Sequence, residues 1–142
     1  MDGNQAQTSY EASNPKEESM DPQALAQIDE ISRRRDLGQA YLAKHSKVFR
    51  AFNEVEREAF KDGALPRKAK ELIATGISII ENCQSCMEWH IKEALKAGAS
   101  REEVLEAIGV AIEMGGGPAT VYSRFAVEVL ECHLEKVSEE IK

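Results

Sequence analysis

The sequence predicts an all-α fold of about six helices. From Asp21 onward, apolar residues recur at three- and four-residue spacing, the signature of helices with one buried face. Capping and breaking residues divide that pattern into helix-sized pieces. No segment carries the two-residue alternation of a half-buried strand, and no internal repeat is present.

Each element has its own start or stop. Asp21-Pro22 reads as a cap followed by a first-turn proline, opening a first helix with Leu25, Ile28, Ile31, Leu37, Tyr41 and Leu42 on its apolar side. Ser46 caps a second, with Val48, Phe49, Phe52, Val55 and Phe60, which Asp62-Gly63 ends. Pro66 opens a third, carrying Ala69, Leu72, Ile73, Gly76, Ile79 and Ile80. This helix is apolar nearly all round, so burial on several sides is expected. Asn82 is the expected cap of a fourth, running from Cys83 to Lys96 and stopped by Gly98. Ser100 and Glu103 form a capping-box pattern for a fifth, with Val104, Ile108 and Ile112 inside. Gly115-Gly116-Gly117-Pro118 is expected to break the chain before a last helix over residues 119–137. Residues 1–19 are polar, with too few apolar groups to offset the entropy of ordering, and read as a disordered leader to a domain over residues 20–142.

A chain of 142 residues fits one domain with a real core. Its 42% hydrophobic and 30% charged residues describe a globular protein. The net charge of −7 argues against nucleic acid as a partner, since phosphate binding needs a basic patch. The one dense basic run, Arg33-Arg34-Arg35, lies among acidic residues and reads as a solvated helix face. The apolar stretch around Leu72 to Ile80 is too short to cross a bilayer, so no membrane role is expected. The N-terminus lacks the basic start and apolar core of a secretory signal, which points to the cytoplasm. There a Cys-x-x-Cys is more often catalytic, redox-active or metal-binding than structural.

The chemistry-bearing residues are Glu71, Cys83, Cys86 and His90. On a helix the last three stand at i, i+3 and i+7 and share one face. The positive end of the helix dipole favours a thiolate in the first turn, lowering a thiol pKa that is ordinarily about 8.5. His90, one turn after Cys86, can take the thiol proton. Glu71 can fold back to orient the imidazole if the third and fourth helices pack as a hairpin. Other readings stay open. Cys83, Cys86, His90 and Cys132 could hold zinc, although a Cys-x-x-Cys with no second pair is a poor zinc knuckle. Both cysteines could be inert and buried. Cys132 and His133 read as filler in the last helix, Trp89 and Met87 as packing residues, and His45 as a favourable charge at a helix C-terminus.

The pattern Glu-x11-Cys-x2-Cys-x3-His, with the segments KAKELI, CQSCMEWHIKEALKAGAS and REEVLEAIGVAIEMGG, resembles the alkylhydroperoxidase D branch of the carboxymuconolactone decarboxylase-like superfamily. The resemblance covers nearly half the chain, from about residue 66 to 130. It implies an all-α fold, trimers or hexamers, and peroxide reduction through a Cys83–Cys86 disulfide with Glu71 and His90 as proton relay. It implies a dithiol or lipoyl-bearing protein as reductant; the sequence itself carries no flavin, haem or nucleotide motif, so no bound cofactor or metal is expected. The sequence departs at Ser85, where well-studied members carry His, so one part of their relay is missing. Members that decarboxylate generally lack the cysteine pair. The alternatives are a non-redox enzyme using His90 and Glu71 as acid and base, or a redox-sensing or metal-binding module. Within the redox reading, Cys86 is the expected peroxide-reacting thiol because His90 is near. The reverse assignment is also open, because the dipole acts most strongly on Cys83.

Overall fold

The computed structural model describes residues 20–140, so the expected leader over residues 1–19 lies outside the described residues. Five helices follow in order: α1 (Pro22–His45), α2 (Lys47–Ala59), α3 (Arg67–Ile80), α4 (Gln84–Lys96) and α5 (Arg101–Glu140). No strand occurs among the described residues. The expected break at Gly115–Pro118 is present as a kink at Gly116, across which the fifth and sixth helices run on as one element, so about six becomes five. Within α5 the chain departs from helical angles at Gly116 (φ 63°, ψ −148°). That conformation is nearly exclusive to glycine. Pro118 falls in the turn after this kink, where its missing N–H matters least.

The caps explain most boundaries. The Asp21 carboxylate accepts from Gln23 N–H at 3.0 Å, and the Ser46 hydroxyl accepts from Phe49 N–H at 3.1 Å. Ser100 and Glu103 complete both halves of the capping box, at 3.1 and 2.8 Å. At the α3–α4 junction the expectation needs correction. Asn82 is not the cap of α4. It takes a left-handed conformation (φ 52°) just beyond α3, which Asn tolerates better than most residues. Asn82 N–H and Cys83 N–H return to the carbonyls of Ile79 and Ser78, each at 3.0 Å. This is a Schellman closure of α3. The N-cap of α4 is therefore Cys83 itself.

The core lies where α3, α4 and α5 meet, with α1 closing one side. Ile79, Met87, Ile91, Val104, Val129, Leu130 and Ile28 are fully enclosed. Each such side chain contributes roughly 1.5–3 kcal/mol of burial free energy. By length and apolarity alone the helix over Arg101–Ser138 meets the requirement for a bilayer span. The inward residues of this helix, Val104, Ile108, Ala126 and Val129, pack in the core.

Several expected core positions are exposed. They are Leu37, Tyr41 and Leu42 on α1, and Val48, Phe52 and Val55 on α2, which has no buried residue. α3 meets its expected polarity only in part: Ile79 is enclosed and Leu72 packs against the core, but Ile73 and Ile80 do not. Glu71, Thr75 and Ser78 point inward with Ile79, the two hydroxyls satisfied by the carbonyls of Glu71 and Thr75 at 2.9 and 2.7 Å. Ile73, Ile77 and Ile80 face outward. With Val110 and Met114 of α5 they line an open apolar groove of about 520 Å³.

Candidate active site

Cys83 and Cys86 are joined by a disulfide, with Cα atoms 5.2 Å apart. Cys86 N–H points to Cys83 Sγ at 3.2 Å, so the sulfur occupies the place of a capping oxygen at the helix start. That is where the helix dipole most favours a sulfur anion once the bond is reduced. Both cysteines are half-buried.

His90 stands one turn after Cys86 on α4, on the same face. Glu71, on the first turns of α3, is fully buried. The two helices pack along one another and bring Glu71 Oε2 to 2.9 Å from His90 Nδ1. This leaves Nε2 as the imidazole nitrogen free of Glu71. The other carboxylate oxygen, Oε1, accepts from Arg67 Nε at 3.3 Å. Phe60, just past α2, stacks on the imidazole with ring centres 5.4 Å apart and planes 18° from parallel. The hairpin condition attached to Glu71 in the sequence is therefore met: Glu71 pairs with His90 across the two helices, and Cys86 of the disulfide lies one turn before His90 on α4. Phe60 and Arg67 are additions that spacing alone did not single out.

A second buried carboxylate lies on the opposite face of α4. Glu88 is fully enclosed. It receives Arg35 Nη1 from α1 and lies 3.0 Å from His133 Nε2 of α5 and 3.5 Å from Lys92 Nζ. The Arg35 guanidinium also reaches the Ser85 carbonyl, between the two cysteines, at 3.5 Å. Its Nε is buried 3.3 Å from Asp36 but not aligned for a hydrogen bond. Trp89 lies between the Arg35 and Lys92 cations, each 4.9 Å from its ring centre.

Two sequence readings are corrected here. Arg35 is buried and paired, while Arg33 and Arg34 remain on the solvated face with Glu30. His133 is a partner of Glu88, not filler. The signal was present in the spacing. Arg35 continues the inward stripe of Ile28 and Ile31, and Glu88 falls beside Met87 and Ile91 on the apolar face of α4. A charge on such a stripe requires a buried partner.

The four residues considered for zinc do not converge. Cys83 and Cys86 are bonded to each other, and Cys132 is buried in α5, where burial raises its thiol pKa. Among the described residues no group of three or more His, Cys, Asp or Glu is arranged to hold a metal ion.

Fold and site together define an all-helical protein with a Cys-x-x-Cys disulfide at a helix start, beside a buried carboxylate–imidazole pair. The chain belongs to the carboxymuconolactone decarboxylase family, whose model matches residues 46–129. It is 41% identical over 91 residues to an uncharacterized protein of Cupriavidus necator, covering 64% of this chain and 77% of that one. It is 34% identical over 110 residues to uncharacterized protein 4 in the cox locus of Paracoccus denitrificans, covering 78% and 90%. A family protein from Legionella pneumophila, solved in its apo form, superimposes with a TM-score of 0.69 at 35% identity, over 77% of this chain and 96% of that one. A family protein from Thermotoga maritima, for which involvement in an antioxidative response has been suggested, gives a TM-score of 0.70 at 25% identity, over 78% and 94%.

The second carboxylate makes a pH prediction. Burial by itself raises the Glu88 pKa, but hydrogen bonds from His133 and Arg35 and the Lys92 charge outweigh it, holding the group down at about 2. A depressed carboxylate stabilises the fold fully above its unfolded pKa, near 4.5, and that stabilisation is lost as pH falls toward about 2. Urea unfolding should find Glu88→Gln less stable than wild type by about 1–3 kcal/mol near neutral pH. The gap should narrow steadily as pH drops through the window between those two pKa values. A gap that stays constant across it contradicts this account of Glu88.

Proposed function

We propose that the chain is a thiol-dependent peroxidase or disulfide oxidoreductase in which Cys83 and Cys86 are the redox couple and Glu71 and His90 move the proton. The observation that carries this reading is the Glu71–His90 hydrogen bond across the helix pair, with Cys86 of the Cys83–Cys86 disulfide one turn earlier on α4. A carboxylate holding Nδ1 leaves Nε2 to accept a thiol proton and return it later. The antioxidative suggestion attached to the Thermotoga relative points the same way. A decarboxylase reading would use His90 and Glu71 but leave the disulfide without a role.

In the proposed cycle the Cys86 thiol gives its proton to His90, and the thiolate attacks the distal oxygen of a hydroperoxide. The O–O bond breaks. The leaving alkoxide takes the proton from His90 and departs as an alcohol, and Cys86 becomes a sulfenic acid. The Cys83 thiol then gives its proton to His90, and its sulfur attacks the Cys86 sulfur. The S–O bond breaks, the leaving hydroxide takes that proton from His90 and departs as water, and the disulfide remains. An external dithiol, such as a lipoyl-type group on a protein, restores both thiols by exchange and is itself oxidised. Cys83, at the helix start, is the sulfur offered to that reductant.

The outward apolar face supports a homo-oligomer, for which the family resemblance implies a trimer or hexamer. Ile73, Ile77, Ile80, Val110 and Met114 would be costly to leave in water as one continuous groove. Light scattering at micromolar concentration should give a mass well above the 15.7 kDa of one chain, and Ile77→Glu should lower it. A mass near one chain for the unaltered protein contradicts the oligomer.

The relay is tested by the rate of peroxide-driven thiol loss near neutral pH. His90→Gln should slow it by about 10²- to 10⁴-fold, and Glu71→Gln by less, because Glu71 acts through His90. Both defects should shrink as pH rises toward the free thiol pKa of about 8.5, where thiolate forms unaided. Superimposable pH profiles for wild type and His90→Gln contradict the relay.

A further inference from the structure

The Ser85–Cys86 peptide group, between the two cysteines, is engaged at both ends. Its N–H donates to Cys83 Sγ at 3.2 Å. Its carbonyl accepts from Arg35 Nη1 at 3.5 Å. Arg35 belongs to α1, 50 residues away in sequence, and its side chain is only 7% exposed. Three further contacts hold the guanidinium in place. Glu88 accepts from the same Nη1, the Ser32 hydroxyl accepts from Nη2 at 3.0 Å, and the Trp89 ring centre lies 4.9 Å from its carbon. One peptide group thus joins a buried cation on α1 to the sulfur at the start of α4.

We propose that Arg35 is a positioning residue that, through the Ser85–Cys86 peptide group, shifts the Cys83–Cys86 couple toward its dithiol form. The proposal rests on the reading of that pair as a redox couple. Hydrogen bonds in series polarise one another, each strengthened by roughly 10–30%. A cation on the carbonyl therefore makes the N–H at the other end of the same group a better donor. Reduction gives the Cys83 sulfur negative charge that it lacks in the disulfide, and a donor bonds more strongly to a charged acceptor than to a neutral one. The strengthened N–H thus favours the reduced pair. The dipole of α4 acts on the same sulfur in the same sense, but it is built into the backbone. Arg35 is the side chain of that line, and a substitution can remove it alone.

A purely structural role for Arg35 has the opposite sign. If the guanidinium only braced the turn, its loss would bring the two sulfurs together less often and favour the dithiol. The position of the thiol–disulfide equilibrium therefore separates the two. Glu88 needs its own control, because it loses a donor when Arg35 is replaced. It keeps His133 Nε2 at 3.0 Å and Lys92 Nζ at 3.5 Å, and Glu88→Gln removes the charge that would otherwise be left short of a partner.

The test equilibrates the full chain near neutral pH with mixtures of glutathione and glutathione disulfide. Two glutathione thiols supply two electrons and two protons, the Cys83–Cys86 bond breaks, and glutathione disulfide forms. Acid trapping, alkylation and peptide mapping count the dithiol fraction at Cys83 and Cys86. Arg35→Met should lower the equilibrium constant for reduction about threefold relative to wild type. The same substitution made in a Glu88→Gln chain should lower it about as much relative to Glu88→Gln alone, and it gives the answer if Arg35→Met by itself does not fold. An unchanged or raised constant in either comparison overturns the proposal while leaving the redox couple intact. A wild-type pair that does not exchange reversibly with glutathione contradicts the redox couple and removes the proposal with it.

Discussion

A carboxylate buried between two helices must be paired or neutralised, and that requirement at Glu71 organises this molecule. The seam between α3 and α4 closes with Glu71 inside it, so His90 and Arg67 must present their donors there. The inward turn of Glu71 sends Ile73, Ile77 and Ile80 to the opposite face of α3. An α3 rotated to bury Ile73, Ile77 and Ile80 instead would leave the carboxylate in solvent and the imidazole unoriented. The polarity of α3 and the chemistry of the site are thus one choice.

The junction between α3 and α4 adds the second element. A Schellman closure through Asn82 stops α3 and hands the chain to α4 with Cys83 at the N-cap. The turn places the disulfide at the positive end of α4, while Glu71, about three turns back on α3, lies beside His90, nearly two turns into α4. On the far face, Glu88 ties the same stretch of α4 to α1 and α5 through Arg35 and His133. Two buried carboxylates therefore grip α4 from opposite sides. Leaving such a buried group without its partner costs about 1–3 kcal/mol, which holds the first turns of α4 in one orientation.

Much of this was legible in the residues. The caps at Asp21, Ser46 and Ser100 and the stop at Gly98 lie where the pattern put them, because capping is a local interaction between neighbours in sequence. The Glu71–His90 contact was legible only as a condition, since it required two helices to pack as a hairpin. Asn82 was misread because Asn serves both as an N-cap and as a left-handed terminator, and the choice depends on which helix closes first. Arg35 and His133 were missed for a different reason. Their partner Glu88 lies 53 and 45 residues away, and a charge on a helix stripe does not name its counter-charge. The outward isoleucines of α3 defeated simple pattern reading, because apolar residues on nearly every side leave the inward face undetermined.

The account turns on Cys83 and Cys86 acting as one redox couple. The direct measurement is to add one equivalent of an organic hydroperoxide to the fully reduced protein, count the remaining thiols and map the cross-link. Of the three cysteines, the account predicts loss of the Cys83 and Cys86 thiols together, one Cys83–Cys86 link, and a free Cys132. No thiol loss, or a dominant link from either residue to Cys132, contradicts it.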